Sequence, residues 1–470
     1  MNKEQLLEEQ MNQMTYLVEK WSDVDHEALP NVLAEGERAN FMEGIEGEAK
    51  QLMVAQLLEN SRKFISAMSE TNKMGQVGEY EKFIFPVIRA AYANIVLDEL
   101  VSVQPMNARV GQVFYMDAIY DSTKGGVSRG DKLSSATGGP NSADHYADEI
   151  VEDETVATGD GATAAMSGNL SWLPVRPGTV TFTDGDQEVT DDGNGNLQGD
   201  AYSGGTINYV NGAFSFTFHD APENGTSVTV SYEYDSECQT PPQVAIQLVS
   251  SPVVARPYKL AALWCLEAQQ ELQSYHGMNI ENEIVSFASN EIQKEIMYSV
   301  INQLLNTANA GNVVWDINPP TGVQEILHRP TIVNSINTAS GNIFQATQRD
   351  QATWMVCGVR VATVLKGLGE SYFKKASVPA GTVGMRYIGD VAGIRVYEMP
   401  AMNTNTALLG RKGTSALDTG YIYAPYLGLF TTPTIMLEDM KARKGMKLSC
   451  AKKIIDAGQF ATLTITDSSS

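Results

Sequence analysis

The stretch Arg256–Leu305, RPYKLAALWCLEAQQELQSYHGMNIENEIVSFASNEIQKEIMYSVINQLL, carries the longest helical period in this chain of 470 residues. Pro257 sits where the first turn of a helix tolerates a missing N–H, and Ala261, Cys265, Ala268 and Leu272 then recur at helical spacing. The pattern predicts a helix over these residues that Gly277 ends. Asn279 is placed to cap a second helix, with Glu281 and Glu283 at its positive end and Ile284, Ala288, Ile292, Ile296, Val300 and Leu304 in a row at i, i+4. Roughly fifty residues of helix would span about 75 Å at about 1.5 Å per residue. That exceeds what an ordinary core needs, so the stretch reads as a spine across which other layers lie. The plainer reading is a core helix pair in an α+β enzyme.

The rest of the chain has room for about three domains. Its composition, 43% hydrophobic and 19% charged, is that of a globular protein, and no apolar run approaches the length of a membrane helix. The opening MNKEQLLEEQMNQM has no apolar signal core, so a protein made and kept in the cytoplasm unless released by lysis, with no membrane partner, is expected. Cys238, Cys265, Cys357 and Cys450 lie far apart with no CxxC pair, which predicts free thiols and no zinc site. The net charge of −23 is uneven. Residues 1–70 hold 14 acidic against 6 basic side chains, and residues 151–237 hold 15 against the single Arg176, leaving a body close to neutrality. Such a chain does not hold nucleic acid by bulk electrostatics, because each phosphate contact needs a cation.

In chain order, residues 1–79 read as amphipathic helices interrupted at Pro30 and Gly36, ending in the polar linker Ser69–Tyr80. Residues 80–159 begin with a short helix and an alternating strand around Val113–Ala118, and pass into a Gly/Ser/Asp-rich loop from Ser122 to Asp148 that holds Lys124, Arg129 and Lys132. Residues 160–237 switch to short β runs with Gly, Asn and Asp turns, including Asn211-Gly212, which predicts a separable, acidic, all-β domain, a small sandwich or barrel. Residues 238–312 contain the spine helices. Residues 313–402 mix helix and strand, with WMVCGVRVATVL as a strand running into a helix and YIGDVAGIRVYEMP as a hairpin. Residues 403–470 supply a last set of strands.

No motif for catalysis is found. GxSxG, HExxH, the phosphate loop and the strand–GxGxxG–helix unit are all missing, and Gly410-Arg411-Lys412-Gly413-Thr414 has the glycines and lysine of a phosphate loop in the wrong order. The acidic run from Asp192 fails the calcium-loop pattern, with Leu197 where glycine is required and Ser203 where the closing glutamate belongs. His26, His145, His219, His276 and His328 are dispersed. No cofactor and no metal are expected.

Three ordered blocks carry a resemblance. The first holds Arg89, Asn94, Val103-Gln104-Pro105-Met106, Gly111-Gln112-Val113-Phe114 and Tyr120; the second Lys259, Ala261, Glu267 and His276-Gly277-Met278; the third Gly420-Tyr421-Ile422-Tyr423-Ala424-Pro425-Tyr426. Together they resemble the major capsid proteins of T-even-type tailed bacteriophages over about residues 81–465, with the β segment unmatched. The resemblance implies an α+β, Hong Kong 97-type capsid fold: a peripheral domain with a spine helix, an extended loop at residues 117–148, an axial domain at about 313–402, and here an inserted all-β domain resembling Ig-like modules that decorate phage particles. It implies a structural, not enzymatic, virion protein that self-assembles as hexamers in a closed icosahedral or prolate shell around double-stranded DNA. Portal, vertex, scaffold and decoration proteins are the implied partners.

Two site expectations follow. Lys124, Arg129 and Lys132 are expected to pair with carboxylates of a neighbouring subunit. A maturation protease of the family would act after a hydrophobic-x-Glu sequence, which Leu33-Ala34-Glu35 and Leu57-Leu58-Glu59 both fit, although the N-terminal segment is expected to be retained as an arm packing on neighbours. The competing readings are a surface or particle-decorating protein whose β-domain binds carbohydrate or protein, and a carbohydrate hydrolase.

Overall fold

A computed structural model describes residues 3–25, 38–43, 45, 47–72, 97–133, 145–200, 204–238, 241–277, 280–376, 381–382, 384–413, 418–436 and 441–467. Glu35, Arg89, Asn94 and Asn279 lie outside them. The chain divides into one unit formed by residues 1–116 with 248–470 and a second formed by residues 117–247.

In the first unit the spine is a helix, Ile280–Thr307, preceded by a shorter one, Leu266–His276. The expected row does pack inward. Ile292, Ile296, Val300 and Leu304 are at most 2% exposed, and Val285, Met297 and Ile301 widen the buried stripe. Gly277 closes the shorter helix in the left-handed conformation, φ +63°, which a side chain at that position would oppose. Residues 256–265 depart from the expected helix. They form a strand, Arg256–Cys265, paired antiparallel residue for residue with Lys441–Cys450. The Leu, Ala and Lys of this segment favour a helix only weakly, and a ten-residue ladder with its tertiary neighbours outweighs that preference. The i, i+4 spacing of Ala261 and Cys265 is therefore incidental, and the helical spine is shorter than the period suggested.

That strand is the edge of a sheet whose order is 256–265, 441–454, 421–431, 102–103, with Ile435–Met436 also on 441–454. The helix Glu48–Asn72 packs on this sheet with Met53, Val54, Ala55, Leu57 and Leu58 buried. Asn60 Nδ2 donates to the carbonyls of Met106 (2.7 Å) and Tyr426 (2.6 Å). The N-terminal segment was expected to pack on neighbours, but this helix belongs to the core of its own subunit, because its apolar face is too large to leave in water. The helix Lys3–Ser22 joins it through Lys20–Glu59 (2.7 Å), and Trp21 lies edge-on to Phe41.

The unit's second sheet runs 312–316, 460–466, 406–410, 354–357, 394–398, 385–391, 373–375. A boundary at residue 402 cuts through it, since 406–410 and 460–466 lie between the first strand and the rest. Trp354–Cys357 is buried throughout, and its alternating side chains serve two cores. Trp354 and Val356 face the core of the spine helix, whereas Met355 and Cys357 face Ile332, Ile336, Ala339 and Ile343 of the helix Ile332–Thr347. Gly358 then opens the helix Val359–Lys366, as the sequence predicts.

In the second unit eight antiparallel strands form one continuous sheet, in the order 150–158, 227–233, 181–183, 188–191, 196–199, 205–207, 213–217, 165–169. Strands 181–217 form a meander. Laid flat, seven spacings of about 4.8 Å would part the edge strands by about 34 Å. Residues 158 and 165 are joined by seven chain steps, which span about 25 Å at most, so the sheet must curl. Its inward side chains, among them Phe182, Val189, Phe216, Val228 and Val230, share one core. Of the two expected forms, sandwich or barrel, this single rolled sheet is nearer the barrel. The expected start at residue 160 falls inside it, since Ile150–Thr158 pairs with Ser227–Glu233. Asn211-Gly212 does turn the chain between 205–207 and 213–217, as the end of a loop in which Gly212 N–H donates to the Asn208 carbonyl. A Cβ on Gly212, at φ +68°, would lie 2.6 Å from Leu173 Cδ2.

Leu304→Ala should cost the first unit about 3 kcal/mol, the usual effect of opening a cavity in a closed core, whereas Phe287→Ser, at a side chain 71% exposed, should stay within about 0.5 kcal/mol. Denaturant unfolding of the two variants checks this pair.

Candidate functional site

Among the described residues, charged side chains such as Glu398 and Arg411 form ion pairs within the chain, and part of the apolar surface is exposed. Among the described residues no three His, Cys, Asp or Glu side chains converge as metal ligands, and no helix is long and apolar enough to cross a membrane. Cys265, Cys357 and Cys450 are free thiols. Burial pushes the Cys450 thiol up to about 11 and the Cys357 thiol well above its usual range. His145 contacts Asp148 and Glu152, His219 contacts Asp220, and His328 stacks on Trp315 and reaches the Asp316 carbonyl at 2.8 Å. The glycine–lysine run at residue 410 forms no phosphate cradle: Arg411 grips Asp418 (2.7 Å), and the Lys412 ammonium donates to the Asp98 carbonyl.

One buried polar cluster of the first unit centres on Glu398, whose carboxylate meets Lys366 (2.7 Å) and Arg386 (2.6 Å). Burial alone would raise this carboxyl, but the hydrogen bonds and charges of Lys366 and Arg386 hold it below the usual glutamate range. A depressed folded-state pKa contributes stability that is present above the unfolded value and is lost as pH falls through the folded one. Hydrogen exchange in strands 354–357 and 394–398 should therefore quicken on acidification into that window, and Glu398→Gln should show less of this pH dependence.

The three cations of the 117–148 loop are all paired within their own chain. Arg129 pairs with Asp121 (2.9 Å) and Lys132 with Asp117 (3.2 Å), both near the surface. Lys124 is 2% exposed, and its ammonium donates to the carbonyls of His145 (2.6 Å), Tyr146 (3.2 Å) and Asp148 (2.6 Å). The rings of Tyr234 and Trp172 lie 5.1 and 5.9 Å from it. A lysine so enclosed is not available to a neighbour's carboxylate, which corrects the expectation for this residue. Sequence reading missed it because the aromatic partners are about 50 and 110 residues away in the chain.

Of the two cleavage candidates, Glu59 lies midway along the helix Glu48–Asn72, 9% exposed and bonded to Lys20. A protease needs extended backbone, so the Glu59–Asn60 bond is closed to it while this helix is docked. Intact-mass measurement of subunits from finished particles should show no species beginning at Asn60.

What the first unit leaves open is a groove of about 490 Å³ between the edge strand and the spine helix, lined by Leu260, Ala262, Ile284, Phe287, Ala288 and Lys294. Phe287, on the spine helix, is 71% exposed, and Leu260, on the edge strand, 39%. Large side chains grouped in this way mark a surface that a protein partner covers.

A model of the family described as major capsid protein Gp23 matches residues 77–466. The chain belongs to that family. It is 21% identical over 393 residues to the major capsid protein of Enterobacteria phage T4, covering 76% of this chain and 71% of that one, and 22% identical over 403 residues to that of Enterobacteria phage T6, covering 76% and 74%. Among solved structures, the capsid of Myoviridae phage XM1 is 9% identical with a TM-score of 0.31, covering 66% of this chain and 89% of that one, and a chain of Microbacterium phage Oxtober96 is 12% identical with a TM-score of 0.33, covering 49% and 80%. As a Gp23-family protein the chain is the structural major capsid protein of a tailed bacteriophage, part of the virion shell. The chain is built of mixed helix and strand. The reading as a decorating or surface-binding protein is not favoured.

Proposed function

We propose that copies of this chain associate as hexamers into a closed icosahedral or prolate shell around double-stranded DNA, assembled in the host cytoplasm with portal, vertex, scaffold and decoration proteins, and that the chain has no catalytic role. The observation that carries the self-association is the apolar groove, which a second copy covers, beside strand Arg256–Cys265, which among the described residues pairs on one side only. A shell of identical subunits needs heterologous contacts that close. An edge strand flanked by exposed Leu260 and Phe287 offers both backbone pairing and apolar area for one. The acidic β-domain is assigned to the outer face of the particle, where its charge keeps particles apart and does not meet DNA.

Phe287→Lys combined with Leu260→Asp tests this, because both side chains line the groove, both are exposed and neither belongs to a buried core cluster. Sedimentation should show folded subunits and a loss of shells of at least about tenfold, comparable to removing a central interface anchor. Wild-type shell yield from the double variant would contradict the proposal.

A further inference from the structure

The base of the 117–148 loop and the rolled β-sheet meet at one side chain, and its surroundings go beyond what a shell function requires. Lys124 has three N–H groups and three carbonyl acceptors, all supplied by His145, Tyr146 and Asp148, the residues that lead into the edge strand Ile150–Thr158. The aromatic walls come from the sheet's own core: Trp172 and Tyr234 pack at 5.3 Å from each other, and the Trp172 N–H donates to the Tyr232 hydroxyl. The nearest countercharge is Asp148, 3.8 Å away, itself shared with His145, which also faces Glu152 at 3.4 Å. The neighbouring Glu149 and Glu233 are engaged by Arg176. Tyr146 closes the cage from the loop side, with its hydroxyl against the Ser122 (3.0 Å) and Gln243 (2.8 Å) carbonyls and its ring on Tyr120. A buried ammonium is tolerated only when each donor is met, so the cage holds together or is lost together.

We propose that Lys124 is the joint that fixes the base of the loop to the β-sheet, so that loop and sheet open and close as one body and the sheet sets where the loop points. A sheet excised at residue 160 would take Trp172 and Tyr234 with it and leave the ammonium without its aromatic walls. The β-domain is then not dispensable for the loop, contrary to the separability its sequence suggests.

The test is hydrogen exchange on the free, full-length subunit, which keeps it independent of whether shells form. In Lys124→Met, which has similar length and no donors, residues 118–131 and 145–158 should both exchange at least about tenfold faster than in the wild type, while the spine helix 280–307 is unchanged. In the wild type the two segments should open in the same event. Faster exchange in only one segment, or independent opening of the two, would overturn the proposal. If Lys124→Met does not accumulate, Lys124→Gln keeps two donors without the charge and should quicken both segments together to a smaller extent; wild-type exchange in either segment would count equally against the joint.

Discussion

The ladder between Arg256–Cys265 and Lys441–Cys450 is the constraint on which the first unit depends. Ten consecutive pairs tie a segment near the middle of the chain to one near its end, and they do so at the edge of a sheet whose other face is covered by the helix Glu48–Asn72. Once the ladder forms, the spine helix has a fixed place to bury Ile292, Ile296, Val300 and Leu304. The far side of its N-terminal half, with Phe287, is left facing water across the groove. The same element thus closes the core and exposes the surface proposed for contact with other copies.

A second constraint is the strand Trp354–Cys357, which has no solvent face. Its alternation assigns Trp354 and Val356 to one core and Met355 and Cys357 to another, so the two sheets of this unit cannot shift register independently. The Glu398 carboxylate at the end of the neighbouring strand, held by Lys366 and Arg386, ties the helix Val359–Lys366 and the strand Met385–Val391 to that register. These polar contacts position elements within the subunit; none of them forms a reaction centre.

The sequence made some of this legible and concealed the rest for identifiable reasons. The row from Ile292 to Leu304 and the break at Gly277 were readable because helix burial and helix termination are local. The hairpin at residues 385–398 and the strand-to-helix step at Gly358 were readable for the same reason. Residues 256–265 read as helix because Ala and Leu recur at helical spacing, and only a partner nearly 200 residues later decides otherwise. The β-domain was visible in its turns and its charge, but its first strand was assigned to the preceding segment, since Ile150–Thr158 finds its neighbour only at Ser227–Glu233. Lys124 looked like a surface cation in a polar loop, and nothing local announces that Trp172 and Tyr234 enclose it.

The central claim is that the groove between strand Arg256–Cys265 and the spine helix is a subunit interface of a self-assembled shell. Cryo-electron microscopy of particles formed by the full-length chain tests it most directly. The account predicts closed shells in which density from a neighbouring copy covers Phe287 and Leu260 and runs along the edge strand 256–265; closed shells in which that groove is open to solvent would contradict it.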